Sequence, residues 1–279
     1  MPKFSSNGVD IYYEVTGHGF PLVWSHEFGG AMESWQNQVR YFSRHYQVIT
    51  YAARGWAPSD IPTEPEAYSQ DTVVNDLYLL LKHLGIKQAH IGGLSMGGSC
   101  ALNFGIAHPE MARSLIVASA GSGSDNRDSF LASGKVMTDR LLSEGMEIVG
   151  NEYARSNTRL QLLRKDPQGF EEFLRLLLAH NNVSSALTYQ GYVMRRPTVY
   201  ALEDKLRALQ VPTLIMLGDE DEPCVDSAVF MKRTIPRSGL VVFPQSGHAI
   251  NLEEPDLFNR SVMDFLTLVE ADRWVERPI

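Results

Sequence analysis

Short apolar runs alternate with amphipathic segments along most of the 279-residue chain. Six of these runs are rich in Val, Ile and Leu, which is typical of strands buried on both faces of a parallel sheet. They lie at residues 21–26, 46–51, 88–91, 114–119, 211–217 and 239–243. A polar turn at Asn7-Gly8 before the run 11–15 adds a small hairpin at the start. Strands that alternate with helices predict an α/β protein, in which helices cover a mainly parallel central sheet.

The alternation stops between Gly121 and Leu209. Residues 130–149, 153–164 and 169–180 have helical periodicity, and no convincing strand separates them. We therefore predict a core of residues 1–121 and 209–279 that carries a helical cap at residues 122–208. A helical bundle that only completes the core remains an alternative, because a helical pattern does not show where the helices dock.

The pentapeptide Gly93-Leu94-Ser95-Met96-Gly97 lies between a predicted strand and a predicted helix at residues 96–107. In a G-x-S-x-G turn of this kind the glycines let strand and helix approach closely, so that the serine stands clear of the sheet. The serine then opens a helix, where unpaired N–H groups and the positive end of the helix dipole favour a developing oxyanion. The motif predicts that Ser95 is a nucleophile.

Composition narrows the class of protein without naming a substrate. A formal net charge of −8 argues against nucleic-acid binding, which requires a basic face, and no polybasic run suits an anionic membrane. No stretch approaches 18 consecutive apolar residues, and the first residues have no apolar signal-peptide region. Two cysteines are too few for a disulfide framework. We expect a cytoplasmic protein with a small-molecule substrate, and the sequence leaves a homodimer open.

Further chemical groups follow other predicted strands. The loop 26–30 follows one strand, the acidic turn 219–222 another, and His248 a third. Since the functional loops of parallel α/β sheets lie at the carboxyl ends of strands, these groups should meet Ser95. Acyl transfer needs a nucleophile, a base, a group that orients the base and an oxyanion site, and all four are available.

The chain resembles the capped α/β hydrolases, and the resemblance covers both core segments. Its motifs are His26-Glu27-Phe28-Gly29-Gly30, Arg54-Gly55, Gly93-Leu94-Ser95-Met96-Gly97-Gly98, Gly218-Asp219-Glu220-Asp221 and Gly247-His248. The order serine, acid, histidine is the order of that fold. The resemblance implies that Ser95 is the nucleophile, that His248 is the general base and that Asp221 orients the base. Asp219, Glu220, Asp125 and Asp128 are the alternative acids.

The resemblance also implies an oxyanion hole made by the backbone N–H groups of Phe28 and Met96. Glu27 departs from the family, in which glycine commonly follows the histidine of the first loop. We expect its carboxylate to face solvent or to pair with an arginine such as Arg54.

Substrate contacts are expected from residues near the predicted entrance and from the walls of the cap. We name Glu27, Trp35, Met137 and Leu141, the last two within an apolar set that also includes Phe130. The pair Arg195-Arg196 could meet an acidic substrate or pair with surface carboxylates.

The resemblance implies a serine hydrolase, without cofactor or metal, that cleaves a small or medium carboxylic ester, lactone or thioester through an acyl-enzyme. His26-Glu27 begins like the zinc motif H-E-x-x-H, but Gly30 occupies the place of the second histidine. The alternatives are a C–C hydrolase of a ring-fission product, a cofactor-free perhydrolase or haloperoxidase, and a non-catalytic receptor on the same fold.

Overall fold

The computed structural model describes residues 2–276, in which eight strands form a single sheet. The strands are β1 (Lys3–Ser6), β2 (Val9–Thr16), β3 (Phe20–Ser25), β4 (Tyr46–Tyr51), β5 (Ala89–Leu94), β6 (Ala112–Ala118), β7 (Thr213–Gly218) and β8 (Ser238–Phe243). Their order is β1-β2-β4-β3-β5-β6-β7-β8, and every pair from β4 to β8 is parallel. The opening strands β1 and β2 pair antiparallel, as do β2 and β4. The predicted α/β class is confirmed.

Twelve α-helices accompany the sheet within the described residues. They are α1 (Gln36–Phe42), α2 (Gln70–His83), α3 (Met96–Ala107), α4 (Arg127–Glu144), α5 (Met146–Ala154), α6 (Leu160–Lys165), α7 (Pro167–Leu178), α8 (Asn182–Thr188), α9 (Glu203–Ala208), α10 (Glu222–Thr234), α11 (Ile250–Glu253) and α12 (Pro255–Glu270). None of the helices in this part of the chain has the length and apolar character needed to cross a membrane.

Two apolar cores lie on opposite faces of the sheet. One core packs α1 and α12 against the sheet through residues such as Phe42, Trp24 and Phe258. The other contains apolar side chains of α2, α3 and α10 and continues into the helices after β6. Burial on both faces explains why the central strands are continuous apolar runs.

Residues 122–208, here called the cap segment, contain α4 to α9. The segment contacts the core beside the Gly93–Gly97 turn, here called the elbow, where the buried Tyr192 hydroxyl donates to the Met96 carbonyl at 2.7 Å. Ser184 Oγ donates to the Gly55 carbonyl at 2.7 Å, which joins α8 to the loop after β4. These contacts place the segment over the carboxyl ends of the strands.

The helices of the cap segment differ from the predicted ones in number and in where they are broken. The single helix expected over 130–149 is broken at Gly145, which has φ 86° and separates α4 from α5. Only glycine adopts such an angle without strain, so the break is local in origin. Helix α8 was not predicted, and it continues into a π-helical turn, Tyr189–Val193.

Candidate active site

Ser95 occupies a strained turn between β5 and α3. Its backbone angles, φ 55° and ψ −108°, lie outside the regions that side chains ordinarily allow. A Cβ on Gly93 would lie 2.3 Å from the Gly97 carbonyl, and a Cβ on Gly97 would lie 2.0 Å from the Ser25 oxygen. The Ser95 N–H donates to the Ala118 carbonyl at 2.8 Å, which ties the turn to β6. Both glycines of the motif are therefore needed, because a side chain at either position would collide with neighbouring backbone atoms.

His248 lies in the loop after β8 with its imidazole held by a carboxylate. Its Nδ1 lies 2.8 Å from Asp221 Oδ2, and Asp221, in the loop after β7, is fully buried. Because Nδ1 is engaged, Nε2 is the nitrogen left for a substrate or a serine. Glu253 fixes the loop by accepting from the N–H groups of Gly247 at 2.7 Å and Ala249 at 3.0 Å.

The other candidate acids have different partners. Asp219 is exposed and accepts from the Ser246 N–H at 3.1 Å, while Glu220 accepts from Gln161. Asp125 is exposed and accepts from the Tyr200 hydroxyl. Within residues 2–276, Asp221 is the carboxylate that meets His248 Nδ1.

Ser95, Asp221 and His248 line one cavity of about 180 Å³ beneath the cap segment. Side chains of the cap segment form much of its wall, including Phe130, Tyr153, Arg159, Tyr189, Val193 and Arg196. A larger depression of about 750 Å³ lies at the opposite ends of the strands, between the end of α3 and the start of β7. We favour the smaller cavity as the functional one, because it contains the strained serine and the paired histidine.

Phe28 and Met96 also line the small cavity. Met96 is the first residue of α3, so its N–H has no partner within the helix. Phe28 follows β3 in the loop beside the elbow, and its N–H has no hydrogen-bond acceptor within residues 2–276. The two N–H groups are therefore available for an anionic oxygen near Ser95.

The family model for the α/β-hydrolase fold matches residues 18–255 of the chain. The chain belongs to the α/β-hydrolase fold family. The resemblance seen in the sequence is thereby confirmed, and the protein is an α/β hydrolase.

Individual relatives of this α/β hydrolase are distant in sequence but match along almost the whole chain. The 3-oxoadipate enol-lactonase 2 of Acinetobacter baylyi is 26% identical, over 86% of this chain and 86% of its own. A thermophilic esterase from Thermogutta terrifontis is 26% identical with a TM-score of 0.84, over 96% of this chain and 97% of its own. The enol-lactonase from Burkholderia xenovorans LB400 is 21% identical with a TM-score of 0.84, over 95% and 100% respectively, and shows the shared fold.

The loop after β3 of this hydrolase is fixed by His26. The Ala53 N–H donates to His26 Nε2 at 3.0 Å, and Nδ1 lies 2.8 Å from the Glu27 carbonyl, to which it must donate. The bond to Nε2 requires the neutral imidazole, because Nε2 accepts a hydrogen bond only when it carries no proton. Burial lowers the pKa of His26 to about 4, which keeps this form at neutral pH.

Glu27 does not face solvent, and it does pair with an arginine, but the partner is Arg159 and not Arg54. Glu27 is 1% exposed and forms a two-pronged ion pair with Arg159 of the cap segment, with Nη1 to Oε1 at 3.2 Å. Arg54 is instead paired with Asp76 at 2.6 Å and 2.7 Å. Burial opposes ionisation of Glu27 more than any other single effect does. The charge and hydrogen bonds of Arg159, with smaller contributions from His248 and His26, together outweigh burial and lower the pKa of the carboxyl.

Glu27 itself does not line the cavity, although it was expected to touch substrate. Its partner Arg159 does, and the Arg159 guanidinium also donates to the Tyr153 hydroxyl at 2.9 Å and lies over that ring. Glu27 therefore acts on the cavity through the arginine. Its negative charge, which could have opposed an oxyanion next to Phe28, is neutralised by the pair.

The other three expected substrate contacts are also away from the cavity. Trp35 is 1% exposed and stacks on Trp24 in the core beneath α12, with ring centroids 4.6 Å apart. Met137 lines a separate depression between α4 and α5, and Leu141 is buried in the cap segment. Helix α4 leads away from the active-site side after its first turn, so Phe130 reaches the cavity and later residues do not.

Sequence reasoning missed Arg159 and Tyr153 as cavity residues and left the role of Arg196 open. Nothing in the sequence marks Arg159, because its carboxylate partner is 132 residues away. The unusual Glu27 was the available signal, since a carboxylate beside an oxyanion site calls for a cation.

One group of possible metal ligands occurs within residues 2–276, formed by Asp221, Cys224 and His248 with ligand atoms within 4.8 Å of one another. Hydrogen bonds account for this group: Asp221 holds His248, and Cys224 Sγ donates to the Ser119 carbonyl at 3.4 Å. Burial raises the pKa of the Cys224 thiol, which disfavours the thiolate that a metal would need. The residues therefore fit an acid–base pair better than a metal centre.

Proposed function

We propose that the protein is a serine hydrolase that cleaves small carboxylic esters, lactones or thioesters through an acyl-enzyme. The observation that supports this most directly is the strained Ser95 in one cavity with the His248–Asp221 pair. The enol-lactonase and esterase names of the relatives agree with this class of substrate.

In this mechanism Ser95 Oγ attacks the carbonyl carbon while His248 Nε2 takes its proton. Asp221 stabilises the resulting imidazolium through Nδ1 and keeps the ring in the tautomer that the reaction needs. The N–H groups of Phe28 and Met96 would hold the oxyanion. His248 then protonates the leaving oxygen or sulfur. In the second half of the reaction it activates water, which releases the acid and restores Ser95.

The same groups could serve a C–C hydrolase or a perhydrolase, so the bond that is cleaved must be tested. The cavity of about 180 Å³ favours a small acyl group over the larger ring-fission products. Leu94 also stands where C–C hydrolases of similar size usually have asparagine before the serine. We therefore place ester, lactone and thioester cleavage first.

The experiment is a panel of esters, lactones and thioesters of graded acyl length, together with a ring-fission dienoate and a perhydrolysis assay. Ser95→Ala and His248→Ala should each lower kcat/KM on the order of 10⁴-fold or more, because the groups act as one unit. Fluorophosphonate should label the wild-type protein and not Ser95→Ala. Ser133→Ala, an exposed serine on α4, is the matched control and should behave as wild type.

The assignment would be wrong if a folded Ser95→Ala protein kept more than about a tenth of the activity. Faster cleavage of the dienoate than of every ester would favour the C–C hydrolase.

A further inference from the structure

Arg196 is a buried cation on the wall of the catalytic cavity. Its side chain is 6% exposed, and it follows the π-helical turn of the cap segment. Nη1 donates to Ser99 Oγ at 3.1 Å, while Nη2 donates to the Ser122 carbonyl at 2.9 Å and to Ser122 Oγ at 3.0 Å. All three acceptors are neutral oxygens.

No carboxylate neutralises this guanidinium within residues 2–276. The other two buried arginines differ, since Arg54 is paired with Asp76 and Arg159 with Glu27. Removing a charge from water is unfavourable unless an opposite charge replaces the lost solvation. Arg196 is thus the one arginine of the three whose counter-charge is not supplied by the described part of the chain.

A second arginine adds to the positive charge at this place. Arg127 donates to the carbonyls of Met194, at 2.5 Å, and Arg196, at 2.9 Å, and it also forms no ion pair within residues 2–276. Burial and the charge of Arg196 both lower the pKa of Arg127. Two arginines without a carboxylate partner in this part of the chain therefore lie close together, and an anion bound beside Arg196 would relieve their repulsion.

The contact with Ser99 fixes how far the anion lies from the reacting atoms. Ser99 lies one helical turn after Ser95 in α3, and its N–H donates to the Ser95 carbonyl at 2.9 Å. One turn rises about 5.4 Å, so an anion on Arg196 would lie on the order of 5–8 Å from the attacked carbonyl. A spacer of about three to five carbons, which is about four to six bonds of about 1.2 Å each, spans most of this distance.

The direction from Ser95 indicates which half of the substrate carries the anion. The hydrogen bonds of the Arg196 guanidinium go to α3 and to the loop after β6, and none goes to the His248 loop. His248 is the group that protonates the leaving atom. The anion therefore belongs to the acyl half.

We propose that the substrate is a short half-ester or lactone whose acyl chain ends in a free carboxylate, and that Arg196, Ser122 and Ser99 form the site for this carboxylate. A guanidinium matches a carboxylate in charge and in planar geometry. The proposal rests on the serine hydrolase function above and adds the class of acyl group.

The test compares monomethyl glutarate with methyl pentanoate, an ester of the same chain length without the acid. At neutral pH the wild-type enzyme should prefer the half-ester by about 10-fold or more in kcat/KM, as expected for loss of a charge-assisted hydrogen bond. Arg196→Met should abolish this ratio, whereas Arg196→Lys should keep part of it. Arg195→Met, which removes the exposed neighbouring arginine, should keep all of it.

Binding provides a readout independent of turnover. Glutarate should bind to Ser95→Ala in calorimetry and should protect wild-type Ser95 from fluorophosphonate, and Arg196→Met should lose the protection. An equal preference for the two esters in wild type, or a ratio that survives Arg196→Met, would overturn the carboxylate site.

If no ester were cleaved and no probe reacted, the proposed function would fall, while glutarate binding would still test the anion site by itself. If Arg196→Met did not fold, the wild-type ratio and the glutarate protection would decide, because neither requires the variant.

Discussion

Replacing Glu27 by Gln should destabilise the protein strongly, because it leaves Arg159 buried without a counter-charge. Glu27 is 1% and Arg159 3% exposed, so water cannot solvate the charge that remains. Removing one member of a buried ion pair typically costs 3–5 kcal/mol. The glutamine oxygen can still accept one hydrogen bond, so we expect a loss of about 3 kcal/mol in the free energy of unfolding. At about 2–4 °C per kcal/mol, the unfolding midpoint should fall by about 6–12 °C.

The stability contributed by the Glu27–Arg159 pair depends on pH with a definite sign. The folded-state pKa of Glu27 is lowered, so the pair contributes its stabilisation above pH 4.5, the reference value for a glutamate, and loses it as the pH falls below that value. The stability difference between wild type and Glu27→Gln should therefore be full at pH 7 and shrink under acid conditions.

Urea unfolding of four proteins tests this reasoning: wild type, Glu27→Gln, Arg159→Met and the double variant. The double variant should be more stable than the sum of the single losses predicts, because an uncharged pair leaves no buried charge. Glu144→Gln, in the exposed pair with Arg140, is the control and should leave the unfolding midpoint unchanged. A loss of less than about 1 kcal/mol in Glu27→Gln, or strict additivity, would refute the argument.

Two further predictions concern the acid and the first loop. Asp221→Asn should lower kcat/KM on the order of 10⁴-fold, because an amide holds His248 in the wrong tautomer. Asp219→Asn should stay near wild type. The opposite order in steady-state assays would identify Asp219 as the acid that orients His248. The pKa of His26 is lowered to about 4, so its stabilisation is full above pH 6.5 and is lost as the pH falls towards 4. Between pH 6.5 and 4.5, His26→Gln should lose about 2 kcal/mol less stability than wild type in urea unfolding, whereas His18→Gln, an exposed control, should lose as much as wild type. An equal slope in all three proteins would exclude His26.

The order of elements in the core could be predicted from the sequence because local signals agree there. Strand β4 at Tyr46–Tyr51 and helix α3 at Met96–Ala107 occur at the predicted residues. Apolar runs, the elbow glycines and polar loops all mark the same boundaries, and each acts within a few residues. The cap segment was predicted less well, since its helices are short and the break at Gly145 depends on a single backbone angle.

The candidate site residues also fall into a group whose positions could be predicted from the sequence and a group whose positions could not. Ser95, Asp221 and His248 follow strands of a sheet whose topology brings strand ends together, so their meeting could be predicted. Trp35 and Met137 were chosen by residue type and sequence distance, and neither quantity shows which way a side chain points. Trp35 faces the core under α12 because its helical turn packs between sheet and helix.

Two arginines of the cap segment, Arg159 and Arg196, show why part of the candidate site could not be predicted from the sequence. Arg159 meets Glu27 across 132 residues and Arg196 meets Ser99 across 97, so no local pattern encodes either contact. Both bring positive charge to a cavity whose reacting groups belong to the core. Glu27 neutralises the first of these charges from the core side, next to Phe28, so that of the two arginines Arg196 is the one without an opposing carboxylate in residues 2–276. Variation in the cap segment can therefore change the acyl group that is bound while leaving Ser95 and His248 in place, provided that each new buried charge receives a partner from the core or from the substrate.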